Sequence, residues 1–97
     1  MAVVRLIHVT VKPNQTAEVE SLWKNHCAPL MIKQPGCLSE RLLRCEDAPG
    51  EYISYSEWSD QDSIDKYRKS PAHEEIIQRS RELQLAERPT VKRYAVV

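Results

Sequence analysis

The stretch from Val3 to Val11 constrains the fold more than any other. It is rich in β-branched residues, which favour extended backbone. Its odd positions are Val3, Arg5, Ile7, Val9 and Val11, and its even ones Val4, Leu6, His8 and Thr10. Neither face is polar throughout, so a strand here needs cover on both sides. A chain of 97 residues buries roughly two-thirds of its unfolded surface. That supports one layer of sheet and one of helix. The helices cover one face, and the other is left to a second molecule.

The rest of the chain follows in alternating pieces. Pro13-Asn14 breaks the strand, with Asn14 as an N-cap. Val19, Leu22, Trp23, His26 and Leu30 then form one amphipathic helical stripe that ends at Pro29 and Pro35-Gly36. Cys37–Cys45 and Tyr52–Trp58 read as two strands of a hairpin, and Pro49-Gly50 suits the centre of a type II turn. Ser59 or Asp60 caps a short helix carrying Ile64 and Tyr67. Ser70-Pro71 restarts it, and Ile76, Ile77, Ser80 and Leu83 form a second stripe. Arg79–Arg88, with Arg81, Glu82 and Glu87, reads as its solvated face. Val91–Val97 closes the chain as a strand. The order β-α-β-β-α-β predicts a ferredoxin-like α+β fold with a four-stranded antiparallel sheet, joined sheet to sheet in a homodimer.

Composition excludes several classes of function. Fourteen basic residues balance fourteen acidic ones, and the pI is near 6.8, which gives no basis for non-specific nucleic-acid binding. At 41% hydrophobic and 29% charged, the chain is globular in composition. No apolar run approaches the ~20 residues of a membrane span, and Met-Ala-Val-Val-Arg lacks the features of a signal peptide. The expectation is one soluble cytoplasmic domain over residues 1–97, with no membrane or nucleic-acid partner. Cys27, Cys37 and Cys45 follow no metal-ligand spacing. Cys37 and Cys45, eight apart, would share one strand face at a distance no disulfide spans. All three read as small semi-buried residues in a reducing compartment, and no metal site is expected from them and the scattered histidines.

Pro35-Gly36-Cys37-Leu38, Arg41-Leu42-Leu43-Arg44, Ser56-Glu57-Trp58 and Ser70-Pro71-Ala72-His73 stand in an order that resembles the antibiotic biosynthesis monooxygenase (ABM) family. The resemblance runs from the first strand to the last. It implies a dimeric α+β barrel of ferredoxin-like subunits, and oxygen chemistry with no metal, flavin or nicotinamide cofactor. The chain has only two glycines and no glycine-rich dinucleotide fingerprint. Triplet O2 reacts sluggishly with closed-shell molecules. A quinol or anthrone that loses a proton can pass one electron to O2, and the protein need only supply a dry pocket, a base and something to hold the anion.

The branches of that family differ at the site. Where the polyketide-tailoring branch has an Asn, a Trp and a Tyr, this chain has Ser54, Trp58 and Ile64. Where the haem-degrading branch has a Trp and a His, it has Tyr67 and Ile77, and an isoleucine cannot ligate iron. The reading is therefore a cofactor-independent monooxygenase acting on a quinol or other phenolic aromatic. The alternative is a non-catalytic dimeric barrel that binds a small aromatic or acyl ligand in a stress response. In the first reading Trp58 walls the pocket, and Tyr67 and His8 handle the proton. Tyr67 would act as a hydrogen-bond donor, or as a base if its pKa is depressed, and His8 as a neutral base. Ser54 lines the cavity floor and His26 sits on the first helical stripe as a further binding residue. His73, in the first turn of its helix, should be neutral and serve the cap. Of Arg41 and Arg44, which alternate across the second strand, only one can face inward, to hold an anion or make a dimer salt bridge.

Overall fold

The computed structural model describes residues 2–81, 83, 85 and 88–97. Strand β1 (Val3–Thr10) is followed by a single 3-10 turn (Pro13–Gln15) and helix α1 (Thr16–Leu22). One π-helical turn (Trp23–Cys27) leads into α2 (Ala28–Met31). The hairpin of β2 (Cys37–Arg44) and β3 (Glu51–Trp58) comes next, then α3 (Gln61–Arg68), α4 (Pro71–Ser80) and β4 (Thr90–Ala95). The four strands are antiparallel in the order β2-β3-β1-β4, so the fold is the expected ferredoxin-like α+β arrangement. Glu82 and Glu87, expected on a solvated helix face, lie outside the described residues, and α4 itself stops at Ser80.

Local chemistry sets the element ends. Asp60 caps α3 by accepting from the Ser63 N–H at 2.8 Å, and Ser70 caps α4 by accepting from the His73 N–H at 3.2 Å. Asn14 is not a cap: Pro13 starts a 3-10 turn first, and α1 begins after Gln15 with no side-chain cap. In the hairpin, the Glu51 N–H donates to the Ala48 carbonyl at 3.2 Å. Gly50, the third residue of that turn, has φ +93°, as a type II turn requires.

Two irregularities change which side chains face the helices. The first is the π turn, where the Ala28 N–H donates to the Trp23 carbonyl five residues back. Pro29 has no N–H, and its ring would crowd the carbonyl four residues behind it. The widened turn precedes Pro29, and the helix runs on to Met31 rather than ending there. The second is a bulge between Cys37 and Ser39: Cys37 pairs with Trp58, yet Ser39 pairs with Glu57. The extra residue reverses parity. Glu40, Leu42 and Arg44 therefore share the helix side with Cys37, and Cys45, opposite Glu51, falls on the other face from Cys37.

Beneath the helices the core forms two clusters. Met31, Trp58, Ile64 and Tyr67 make one, and Val11, Val19 and Tyr52 the other. Burying a side chain such as Ile64 stabilises the fold by roughly 1.5–3 kcal/mol. At the second cluster, Arg44 reaches across to Glu20 of α1 in a two-pronged pair of 2.6 and 3.0 Å, and the Tyr52 hydroxyl donates to the same carboxylate at 2.6 Å. The Arg44 hydrogen bond, followed by that of Tyr52, lowers the Glu20 pKa to about 2.

Gly36 has φ +86°, and a Cβ there would collide with Ser63. Gly36→Ala should therefore cost about 1–3 kcal/mol, or roughly 4–8 °C of Tm per kcal/mol. A thermal melt checks this, and an unchanged Tm contradicts it. The Glu20 pair makes a second prediction. A carboxylate held below its ordinary 4.5 stabilises the fold fully above that pH and loses the effect as pH falls toward 2. The Tm of the wild type should fall more steeply across that window than the Tm of Glu20→Gln; equal slopes would contradict the pairing.

Candidate active site

Between the two core clusters the sheet and helices leave a cavity of about 380 Å3, within the roughly 300–1,000 Å3 typical of small-molecule sites. Its floor is the inner face of the sheet. The register sets Ile7 opposite Ser54, Arg5 opposite Ser56 and Val9 opposite Tyr52, and Arg5, Ile7, Val9 and Ser54 all line the space. Its walls come from the helices. Val19, Trp23, Cys27 and Met31 point in from the first helical segment, and Tyr67, His73 and Ile76 from α3 and α4.

The spacing Val19, Trp23, Cys27, Met31 is the signature of the π turn. Without it the stripe would run Leu22, His26, Leu30, as the sequence suggests. The extra residue per turn rotates His26 and Leu30 away, and His26 is half-buried outside the cavity lining. His8 is not in the cavity either. It pairs with Ile53, lies on the opposite face of the sheet and is exposed. Of the sequence-predicted site residues, Ser54 and Tyr67 are brought together in the lining.

Trp58 is 0% exposed and does not line the cavity. It stacks beneath Tyr67 with ring centroids 5.0 Å apart and planes at 29°. Its Nε1–H donates to Ser56 Oγ at 2.9 Å, so its one polar atom is already used. Trp58 supports Tyr67 from behind. On the other side the His73 ring meets Tyr67 edge-on at 5.0 Å. His73 thus does more than cap α4 through its backbone: its side chain enters the cavity.

Electrostatics keep most of this site uncharged. Burial pushes the Tyr67 hydroxyl up to about 12, against a smaller opposing effect of Arg5. Tyr67 is therefore a phenol at neutral pH, able to donate a hydrogen bond but not to act as the base. Burial, followed by Arg5 and Arg68, lowers the pKa of His73, which leaves it neutral with a lone pair to accept a proton. The thiols of Cys27 and Cys37 are each raised to about 11, mainly by burial and next by Glu40. Glu40 is itself pushed up by burial, and its Oε2 is buried with no hydrogen-bond partner among the described residues. The charged groups of the described lining are the exposed Arg68 and Arg5, which is 7% exposed on the cavity floor. One signal could have singled it out: a lone arginine among Val3, Ile7, Val9 and Val11 on one face of a central strand. Neither Arg41 nor Arg44 lines the cavity; Arg44 is on its side of the sheet but is engaged by Glu20. No three described His, Cys, Asp or Glu residues cluster as a metal-ligand set.

The sequence matches the family model described as antibiotic biosynthesis monooxygenase over residues 2–79. The chain belongs to the ABM family. No curated protein matches it, but solved structures share its fold. An ABM-like fold is found in a conserved protein from Methanosarcina mazei, at 23% identity and a TM-score of 0.86 over 97% of this chain and 91% of that one. A protein from Bordetella bronchiseptica has 25% identity and a TM-score of 0.87, over 99% and 97% of the two chains. SnoaB, a cofactor-independent oxygenase from Streptomyces nogalater, has 21% identity and a TM-score of 0.81, over 99% and 93%. In this ABM protein the cavity is lined mainly by apolar side chains. The Tyr52 and Ser80 hydroxyls also line it, but already donate to Glu20 and to the Ile77 carbonyl. The His73 imidazole is its neutral base, the Tyr67 phenol is a donor, and the Ser54 hydroxyl lies on the floor. That set can accept a proton from an aromatic molecule and hydrogen-bond the oxygen that gains charge. Among the described residues no helix is long and apolar enough to cross a membrane.

The raised thiol pKa values predict that Cys27 and Cys37 resist a thiol-labelling reagent near neutral pH, and react once denaturant opens the fold. Labelling of Cys27 in the native protein at the rate of a free thiol would contradict this burial.

Proposed function

We propose that this protein is a monooxygenase that oxidises a quinol or another phenolic or polycyclic aromatic molecule with O2, without a cofactor of its own. Family membership supports the reading, and one observation carries it: an apolar cavity whose base is a neutral histidine and whose donor is a protonated tyrosine. His73 takes the acidic proton of the bound substrate. Tyr67 donates to the oxygen on which charge develops, and Ser54 hydrogen-bonds the substrate from the floor. The electron-rich anion passes one electron to O2, and the radical pair couples to form a C–O bond. In an anthrone-type substrate, loss of water from the hydroperoxide then breaks the O–O bond and leaves a carbonyl. A ring CH2 has become C=O, and the second oxygen atom has left as water.

The same reading includes a homodimer. Leu6, Leu43, Ile53 and Tyr94 lie on the sheet face away from the helices, and Leu43 and Tyr94 are 43% and 48% exposed. A second copy packed on that face would cover them, together with His8. The alternative, a non-catalytic barrel that binds a small aromatic or acyl ligand, draws support from Trp58, whose ring is sealed off from the cavity.

Oxygen uptake separates the two. Metal-stripped protein with anthrones and naphthoquinols should consume O2 above the autoxidation blank. His73→Gln should lower the rate by about 10²-fold or more, whereas His8→Ala should leave it unchanged. Because the His73 pKa is held below its ordinary 6.5, the acid limb of the rate profile should fall below that pH and vanish in His73→Gln. Uptake equal to the blank across the panel would favour the binding protein.

A further inference from the structure

The cavity holds a charge that the oxygenase reading leaves unused. The Arg5 side chain is on the inner face of β1 and 7% exposed, yet it lines the cavity. Among the described residues its guanidinium has no ion-pair or side-chain hydrogen-bond partner; the salt bridge that is present joins Arg44 and Glu20, and Arg5 takes part in hydrogen bonding through its carbonyl. A guanidinium carries five donors and stays charged at neutral pH. Its nitrogens are not among the fully buried polar atoms, so they face the cavity, where an anion that enters would offset the cost of holding a charge against apolar walls.

The surroundings select the kind of anion. Among the described lining residues Arg68 and His73 add basic groups, and there is no Asp or Glu. Arg93, opposite Arg5 across β4, extends the positive potential. Around this charge the walls are apolar, with Ile7, Trp23, Met31 and Ile76 on several sides. A space of about 380 Å3 suits a compact ring system.

We propose that the cavity binds a planar apolar molecule bearing one oxyanion, a carboxylate or an ionised enol, and that Arg5 is the anchor of that oxyanion. Arginine suits the task because its planar fork meets a delocalised oxyanion with two parallel hydrogen bonds. The anchor serves a binding protein as well as an oxygenase, since it determines what enters the cavity and not what happens there.

The test is equilibrium binding to the full chain near neutral pH, read by calorimetry, for two matched pairs. Naphthoate is compared with naphthamide, and hydroxynaphthoquinone, ionised under these conditions, with methoxynaphthoquinone. At least one anion should bind about tenfold tighter than its neutral counterpart, the size of one charge-assisted hydrogen bond. Whichever pair shows the difference identifies the oxyanion as carboxylate or enolate. Arg5→Met should abolish that advantage and leave the neutral molecule binding as before, whereas Arg5→Lys should keep part of it. The Tm of Arg5→Met should equal or exceed that of the wild type, because the substitution removes a largely desolvated charge from the cavity floor; this separates a lost anchor from a lost fold. Arg41→Met, on the opposite sheet face, should change nothing. Equal binding of anion and neutral molecule in both pairs, or an advantage that survives Arg5→Met, would overturn the proposal. Oxygen consumption plays no part in the readout, so a failed oxygenase assay and a failed anchor give different results.

Discussion

A strand has a period of two, and β1 and β3 lie side by side at the centre of the sheet. Once Trp58 turns beneath the helices, Ser56, Ser54 and Tyr52 must follow it, and Val3, Arg5, Ile7 and Val9 face the same way across the ladder. The middle of that inner face is therefore polar, with two serines and an arginine among apolar neighbours. Apolar side chains of the helices close over its two ends, as the Trp58 and Val11 clusters. The cavity occupies the part between them. His8 and Tyr55, on the other parity, belong to the second face of the sheet.

Burial then fixes the protonation of what lines the space. It raises the hydroxyl of Tyr67 and the thiol of Cys27, and lowers the imidazole of His73. Each shift favours the neutral form, as desolvation requires. Arginine is the side chain least able to respond in this way, so Arg5 is left as the buried charge of the cavity. The cavity so built combines a neutral imidazole, a phenol and the buried Arg5 with the exposed Arg68 among its lining, the set on which the proposed binding of an aromatic anion rests.

Much of this was legible in the sequence. Alternation in Tyr52–Trp58 placed Ser54 and Trp58 on one strand face, and Pro49-Gly50 and Ser70-Pro71 marked the turn and the helix start through their own backbone preferences. The π turn and the bulge were not legible, because each is one residue inserted into a regular period and leaves no composition of its own. The π turn exchanged His26 and Leu30 for Cys27 and Met31 as inward residues. The bulge turned Cys37 and Cys45 to opposite faces. His8 was ambiguous for a different reason: both faces of β1 are apolar enough to be covered, and only the register with β3 shows which one meets the helices. The family model covers residues 2–79 and so fixes the class of protein, but it does not determine which side chains a helix with a π turn presents to the floor.

A ligand of the proposed kind enters between the sheet and the helices and does not sit on the other sheet face. Methyl chemical-shift mapping, with an aromatic ligand titrated into isotope-labelled protein, separates the two faces. Ile7, Val9, Val19 and Ile76 should move together while Leu6, Leu43 and Ile53 stay still. Shifts confined to Leu6, Leu43 and Ile53 would place the ligand on the opposite face, beside His8, and contradict this placement.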